Sequence, residues 1–129
     1  MDEPVWMSRK VVDAIQRELI AEHGGLHGIR DEGLVDSALS KPRNRWAYEP
    51  DADLADLAAS YGFGLARNHA YLDGNKRIAL AAMHVFTRRN RFAIAVSEVE
   101  EVAVMLQLAE GSLAEVELAA WVREHLRPL

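Results

Sequence analysis

The feature that most constrains this chain is a polar nonapeptide, His69-Ala70-Tyr71-Leu72-Asp73-Gly74-Asn75-Lys76-Arg77, set between two apolar runs. Residues 54–67 on one side and 78–86 on the other are rich in Ala and Leu and read as buried helices. Between them stand an imidazole, a carboxylate, a carboxamide and two cations around one glycine. Burying such groups without partners costs roughly 2–7 kcal/mol for a neutral amide and far more for a charge, so a core helix pair has no use for them. Asp73-Gly74-Asn75 is turn chemistry. A new helix is expected to start at about Asn75 or Lys76, with Asp73 or Asn75 as its N-cap. That start offers free backbone N–H groups and the positive end of a helix dipole. Lys76 and Arg77 then lie where the dipole disfavours cations, an arrangement that a bound phosphate would relieve. The alternative is a helix corner whose charges face solvent.

The rest of the chain is read against this stretch. At 129 residues, half of them hydrophobic and 27% charged, the chain has the size and composition of one globular domain spanning 1–129. It has no cysteine, which excludes a disulfide framework, a thiolate nucleophile and a Cys-based metal site. No run approaches the ~18 apolar residues of a membrane span. Met1-Asp2-Glu3-Pro4 lacks a signal-peptide pattern, so a cytoplasmic protein is expected. A net charge of −5 argues against general nucleic-acid binding but leaves room for a local basic site.

Six helices are expected in all. Ser8 caps the first, whose Val11, Val12, Ile15, Leu19 and Ile20 recur at helical spacing, after a short extended piece Val5-Trp6-Met7. Gly24-Gly25 ends it, and 26–30 reads as a loop without chemistry. A second helix spans about Asp31 to Leu39 and stops before Pro42. The stretch 41–50 is then the one long irregular segment. Its cations and aromatics suit either gripping a partner or sealing the core edge. The third helix begins near Asp53, and its Gly62 and Gly64 are explained by close approach to the fourth, which runs from the nonapeptide to about Asn90. His84 reads as a satisfied histidine. Ala93 to Val96 is weakly alternating, and Ser97 and Ser112 open two final helices as capping boxes. Their inward faces are expected to be Val99, Val102, Ala103 and Leu106, then Val116, Leu118, Ala119 and Val122, with Trp121 as an anchor.

The nonapeptide resembles the active-site signature of the Fic/Doc family, His-x-Phe-x-(Asp/Glu)-(Gly/Ala)-Asn-(Gly/Lys)-Arg. Asp73 and Lys76 are similar to the Doc toxin branch, whereas Tyr71 stands for Phe and Leu80 stands where Fic AMP-transferases carry a second Arg. Residues 30–39 resemble the Doc segment that precedes the target-docking flap, which would place the flap at Arg43, Asn44, Arg45 and Trp46. The resemblance implies an all-α, six-helix bundle with its active-site loop between two central helices. It also implies a toxin of a toxin–antitoxin pair, with ATP and Mg2+ as cofactors and elongation factor Tu as protein substrate. No self-inhibiting (Ser/Thr)-x-x-x-Glu-(Gly/Asn) motif is complete, because Val102 follows Ser97 and Glu101. Restraint would then come from an antitoxin whose C-terminal segment folds as a helix on the chain.

The residue chemistry points the same way. Phosphoryl or nucleotidyl transfer to a hydroxyl needs a base, charge neutralisation and alignment. His69 fits the base, and Asp73 can hold a divalent cation. Gly74, Lys76 and Arg77 can hold phosphate, and Asn75 can bind a phosphate oxygen or orient the turn. In the resemblance, Lys at position 76 goes with presentation of the γ-phosphate, hence a protein kinase, and Gly there goes with AMP transfer. A non-catalytic binding module is the remaining reading, and the intact set of site residues argues against it.

Overall fold

The Ser8 hydroxyl accepts the Val11 N–H at 3.2 Å and starts helix α1, Arg9–His23, which Gly24 closes with a left-handed φ of 81°. A computed structural model describes residues 1–129 and continues from there in the expected order. Asp31 caps α2, Glu32–Tyr48. Asp53 and Asp56 form a reciprocal capping box at the start of α3, Leu54–Arg67. After the nonapeptide turn come α4, Asn75–Arg89, and the short strand β1, Phe92–Ile94. Ser97 and Gly111 bound α5, Glu98–Glu110, and α6 spans Glu115–His125. Strand β2, Leu126–Pro128, pairs antiparallel with β1, Ile94 opposite Leu126 and Phe92 opposite Pro128. The fold is all-α with one small ribbon, and none of its helices is long and apolar enough to cross a membrane.

Helix α3 is the centre. Ten of its residues are buried, and α2, α4, α5 and α6 all pack on it. Gly62 explains how closely α4 approaches: a Cβ there would lie 2.4 Å from Met83 Sδ. Gly64 serves a different neighbour from the one expected. A Cβ at Gly64 would meet Ala38 Cβ of α2 at 3.3 Å.

The largest departure from expectation is α2. It does not stop before Pro42 but runs through it to Tyr48, so the irregular flap expected at 41–50 is helical. A proline inside a helix costs about 3 kcal/mol locally, and tertiary contacts outweigh that cost. Pro42 is buried and Ala38 is seated on α3. Arg45 Nη1 donates to Asp56 O at 3.2 Å, to Ser60 Oγ at 2.9 Å and to Glu115 Oε2 at 3.0 Å. Trp46 meets Trp6 edge-on at 6.2 Å, and Arg43 lies 5.7 Å from the Trp6 ring. Of the four expected flap residues only Arg43 and Asn44 are exposed.

Smaller corrections have equally local causes. Val5 to Met7 form no strand, because Asn90 and the Tyr61 hydroxyl take their backbone groups. Ser112 does not cap α6. It donates to Gln107 O, and Glu117 accepts the Ala114 N–H at 2.9 Å instead. Helix α5 buries Val104, Met105 and Leu108, leaving Val99, Val102, Ala103 and Leu106 exposed. Its rotation is set by polar contacts, Glu101 with His84 and Glu100 with the Trp121 indole at 3.1 Å. Trp121 thus ties α6 to α5 while half-buried, and Val116 faces solvent.

Two predictions follow from these contacts. Arg45→Ala leaves Ser60 and Glu115 without their shared donor and should lower unfolding free energy by about 2 kcal/mol in urea titration. Asn44→Ala should stay within ~0.5 kcal/mol. The second concerns acid. Arg123, donating to Asp53 at 2.8 and 3.0 Å, holds that carboxyl down at about 2, below its ordinary 3.8. A depressed carboxyl stabilises the fold fully above its unfolded value and loses that contribution as pH falls from about 4 through about 2. Arg123→Ala should flatten this part of the stability profile followed by circular dichroism.

Candidate active site

The turn between α3 and α4 begins with strain. Asn68 closes α3 in an ordinary helical conformation, and the next residue, His69, has a φ of 51°. Left-handed conformations are uncommon outside glycine and gather at functional sites when their surroundings enforce them. Arg30 does so here: its Nε donates to His69 O at 2.6 Å and its Nη2 to Asn68 O at 3.2 Å. The backbone N–H groups of Arg30 and Asp31 both donate to Ala70 O, and Leu72 N–H donates to Gly28 O at 3.1 Å. Ile29 and Tyr71 form an isolated antiparallel bridge. The loop between α1 and α2 is therefore the floor of the turn. Nothing in local spacing shows that residues 39 apart meet here, and the loop expected to lack chemistry holds the histidine.

Asn75 completes the turn from inside. Its Nδ2 donates to Tyr71 O at 3.0 Å, and its Oδ1 accepts Tyr71 N–H at 3.1 Å. Of the two roles open to Asn75, phosphate ligand or turn brace, this pairing is the brace. Tyr71 is buried, and its hydroxyl donates to Asp13 Oδ1 of α1 at 2.7 Å. Burial, reinforced by Asp13, pushes the phenol above its ordinary range, so it remains a donor. Arg9 holds the far side of Asp13 and bridges to Glu32 and Asp36.

Neither Asp73 nor Asn75 caps α4. Gly74, left-handed at a φ of 77°, is the N-cap and no side chain bonds the first turn. The first backbone bond at this end is Ile78 N–H to Gly74 O at 2.8 Å. The amides of Asn75, Lys76 and Arg77 are thus left free at the positive end of the dipole. Lys76 and Arg77 are exposed, and neither takes part in any ion pair of the protein. Asp73 accepts the Gly74 N–H at 2.8 Å and the Leu26 N–H at 3.3 Å.

These groups share one cleft of about 720 Å³. His69, Asp73, Gly74, Asn75, Lys76 and Arg77 line its polar end. Leu72, Leu80 and the α5 residues Val102, Met105 and Leu106 line the other. All six of the residues expected in the nonapeptide come together. The four expected in the flap do not join them. Asn44 and Arg45 border a separate, polar depression of about 460 Å³ on α2.

This is an all-α bundle in which a left-handed histidine turn runs into a cation-bearing helix start with no side-chain cap, the kind of helix terminus that attracts anions. The Fic/DOC family model matches residues 6–87, and the chain belongs to this family. Over 71 residues it is 39% identical to "Protein kinase doc" of Escherichia phage P1, covering 55% of this chain and 56% of that protein. Over 74 residues it is 45% identical to "Toxin Doc" of Mycolicibacterium smegmatis (strain ATCC 700084 / mc(2)155), covering 56% of each. The chain spans about half the length of these curated relatives.

The hydroxyl that distinguishes Tyr71 from the phenylalanine of the resembled signature is bonded, and this can be tested. Tyr71→Phe should cost about 1 kcal/mol of stability in urea titration, the net worth of one hydrogen bond. Asp13 keeps its Arg9 partner, so the cooperative transition should remain.

Proposed function

We propose that this chain is a Doc-type toxin that moves the γ-phosphate of ATP onto a serine or threonine hydroxyl of a translation protein. Elongation factor Tu is the expected target by family resemblance. The observation that carries this reading is the free helix start. Three unbonded amides and two unpaired cations, Lys76 and Arg77, face the same cleft as His69 and Asp73. A triphosphate satisfies all of them at once.

Each residue then has a task. His69 takes the proton of the acceptor hydroxyl as its oxygen bonds to the γ-phosphorus. The bond from that phosphorus to the β–γ bridging oxygen breaks, and ADP leaves. Lys76, Arg77 and the α4 amides hold phosphate oxygens in line. The protein has no group of three or more His, Cys, Asp or Glu side chains that could hold a metal ion. Asp73 would therefore hold Mg2+ as a lone carboxylate, with phosphate and water as the remaining ligands, a pattern that suits this ion. When bound, Mg2+ supplies charge neutralisation at the phosphates. Leu80 puts an apolar side chain on the cleft where an AMP-transferase is expected to carry a second arginine, which favours the γ-phosphate reading.

The apolar end supports an antitoxin as partner. Leu72, Val102 and Leu106 are 47%, 56% and 44% exposed, and they form with Leu80 a wall that suits the apolar face of an incoming helix. Glu101, the nearest approach to a self-inhibiting glutamate, is paired with His84, so restraint is assigned to a second protein.

Labelled ATP with purified elongation factor Tu tests the reaction. Label from the γ-position should appear on the target and that from the α-position should not; the reverse result establishes AMP transfer instead. His69→Ala should abolish labelling by at least ~100-fold and relieve growth arrest on expression. Arrest that persists unchanged with His69→Ala would leave only the binding-module reading.

A further inference from the structure

The loop that leaves α1 also meets the one carboxylate in the polar end of the cleft. Gly25 has a φ of 114°, and a Cβ on it would lie 2.6 Å from Asp73 Oδ2, its nearest neighbour, and 3.1 Å from both Asp73 Cγ and Ile20 Cδ1. The next residue, Leu26, donates its N–H to the same Oδ2 at 3.3 Å, while Oδ1 is taken by Gly74 N–H at 2.8 Å. The carboxylate is therefore held from two sides by backbone, one amide before α4 and one 47 residues earlier in the chain. Gly24 has an equally left-handed φ of 81°, yet a Cβ there would have nothing within 4 Å. The two neighbouring glycines separate backbone conformation from side-chain contact, and removal of the Asp73 carboxylate separates its share of that contact from the share of Ile20.

We propose that Gly25-Leu26 is a positioning element that fixes where the Asp73 carboxylate stands in the cleft. It does so by a backbone amide that binds Oδ2 and by the absence of a side chain where that oxygen sits. The proposal rests on the reading of Asp73 as the carboxylate that holds a divalent cation. Asp has a single methylene between backbone and carboxylate, so an intruding methyl group must turn the carboxylate or move the loop. Either change takes Oδ2 off the Leu26 N–H. Groups that orient a metal-holding side chain are typically worth roughly 10–100-fold in metal affinity. Gly25 and Leu26 touch no reacting atom, so their effect is on cation and nucleotide binding.

The test compares wild type, Gly24→Ala, Gly25→Ala and Asp73→Asn. ATP binding is followed by calorimetry at stepped Mg2+ concentrations. Gly25→Ala should raise the Mg2+ needed for half-saturation about tenfold or more, and Gly24→Ala should leave it within about twofold. Equal shifts in both glycine variants would overturn the proposal, because strain alone would then explain them. No shift in Gly25→Ala, with a large one in Asp73→Asn, overturns the positioning role alone. No shift in Asp73→Asn removes the underlying reading of that carboxylate, and the proposal with it.

Thermal melting of Gly25→Ala in the wild-type and Asp73→Ala backgrounds gives a readout independent of nucleotide. The Gly25→Ala penalty should shrink by several degrees, or folding should be restored, once the carboxylate is absent. An identical penalty in both backgrounds, or failure to fold in both, would show that the intruding methyl group meets something other than Asp73.

Discussion

The contact on which the structure depends is that between Gly62 of α3 and Met83 of α4. The Met83 thioether occupies the space where a Cβ of residue 62 would stand, 2.4 Å from its sulfur. A glycine inside a helix costs roughly 1 kcal/mol relative to alanine, and close packing of two central helices is what it makes possible here. The two helices are consecutive in the chain, so their spacing also sets the width of the turn between them. Seven residues, 68–74, must reverse the chain across that gap. They do so with a left-handed histidine at one end and a left-handed glycine at the other.

A turn so constrained needs partners for its backbone, and these come from far away in sequence. Arg30, Gly28 and Asp31 supply hydrogen bonds to 68–72, and Asn75 supplies two more from the start of α4. With its backbone satisfied in this way, the turn can leave its chemically useful groups unbonded. The His69 ring, the Lys76 and Arg77 side chains and the first amides of α4 are free because other residues brace the backbone that carries them. Backbone amides held in place and left unbonded are what preorganised charge stabilisation uses.

The helix order, three of the residues that bound helices and the composition of the polar turn were legible from the sequence because each is local. Ser8, Gly24 and Ser97 bound helices through residues within four positions of themselves. The errors arose where distant contacts override local preference. Pro42 is an ordinary stop signal, and distant contacts, Arg45 with Ser60 and Glu115 and Trp46 with Trp6, show why the helix continues. The apolar residues of α5 form two possible faces, and periodicity does not say which is turned inward. The Arg30 clamp and the Leu26 amide are side chain-to-backbone contacts between separate segments, which leave no periodic trace. The hydroxyl by which Tyr71 differs from phenylalanine has its partner, Asp13, in a helix 58 residues earlier.

The orientation of α5 then gives the cleft its second chemistry. Had α5 buried Val102 and Leu106, the polar turn would have opened onto a plain surface. Instead Glu101 pairs with His84 on one side, and Glu100 binds the Trp121 indole and lies 3.4 Å from His125 on the other. These contacts rotate Val102 and Leu106 outward, into the cleft that Leu72 and Leu80 also line. An acidic protein thereby presents a basic, amide-lined end and an apolar wall beside it. On the proposed function, an apolar segment seated on that wall would lie against the residues assigned to phosphate, and the way α5 is turned would set partner and nucleotide in competition.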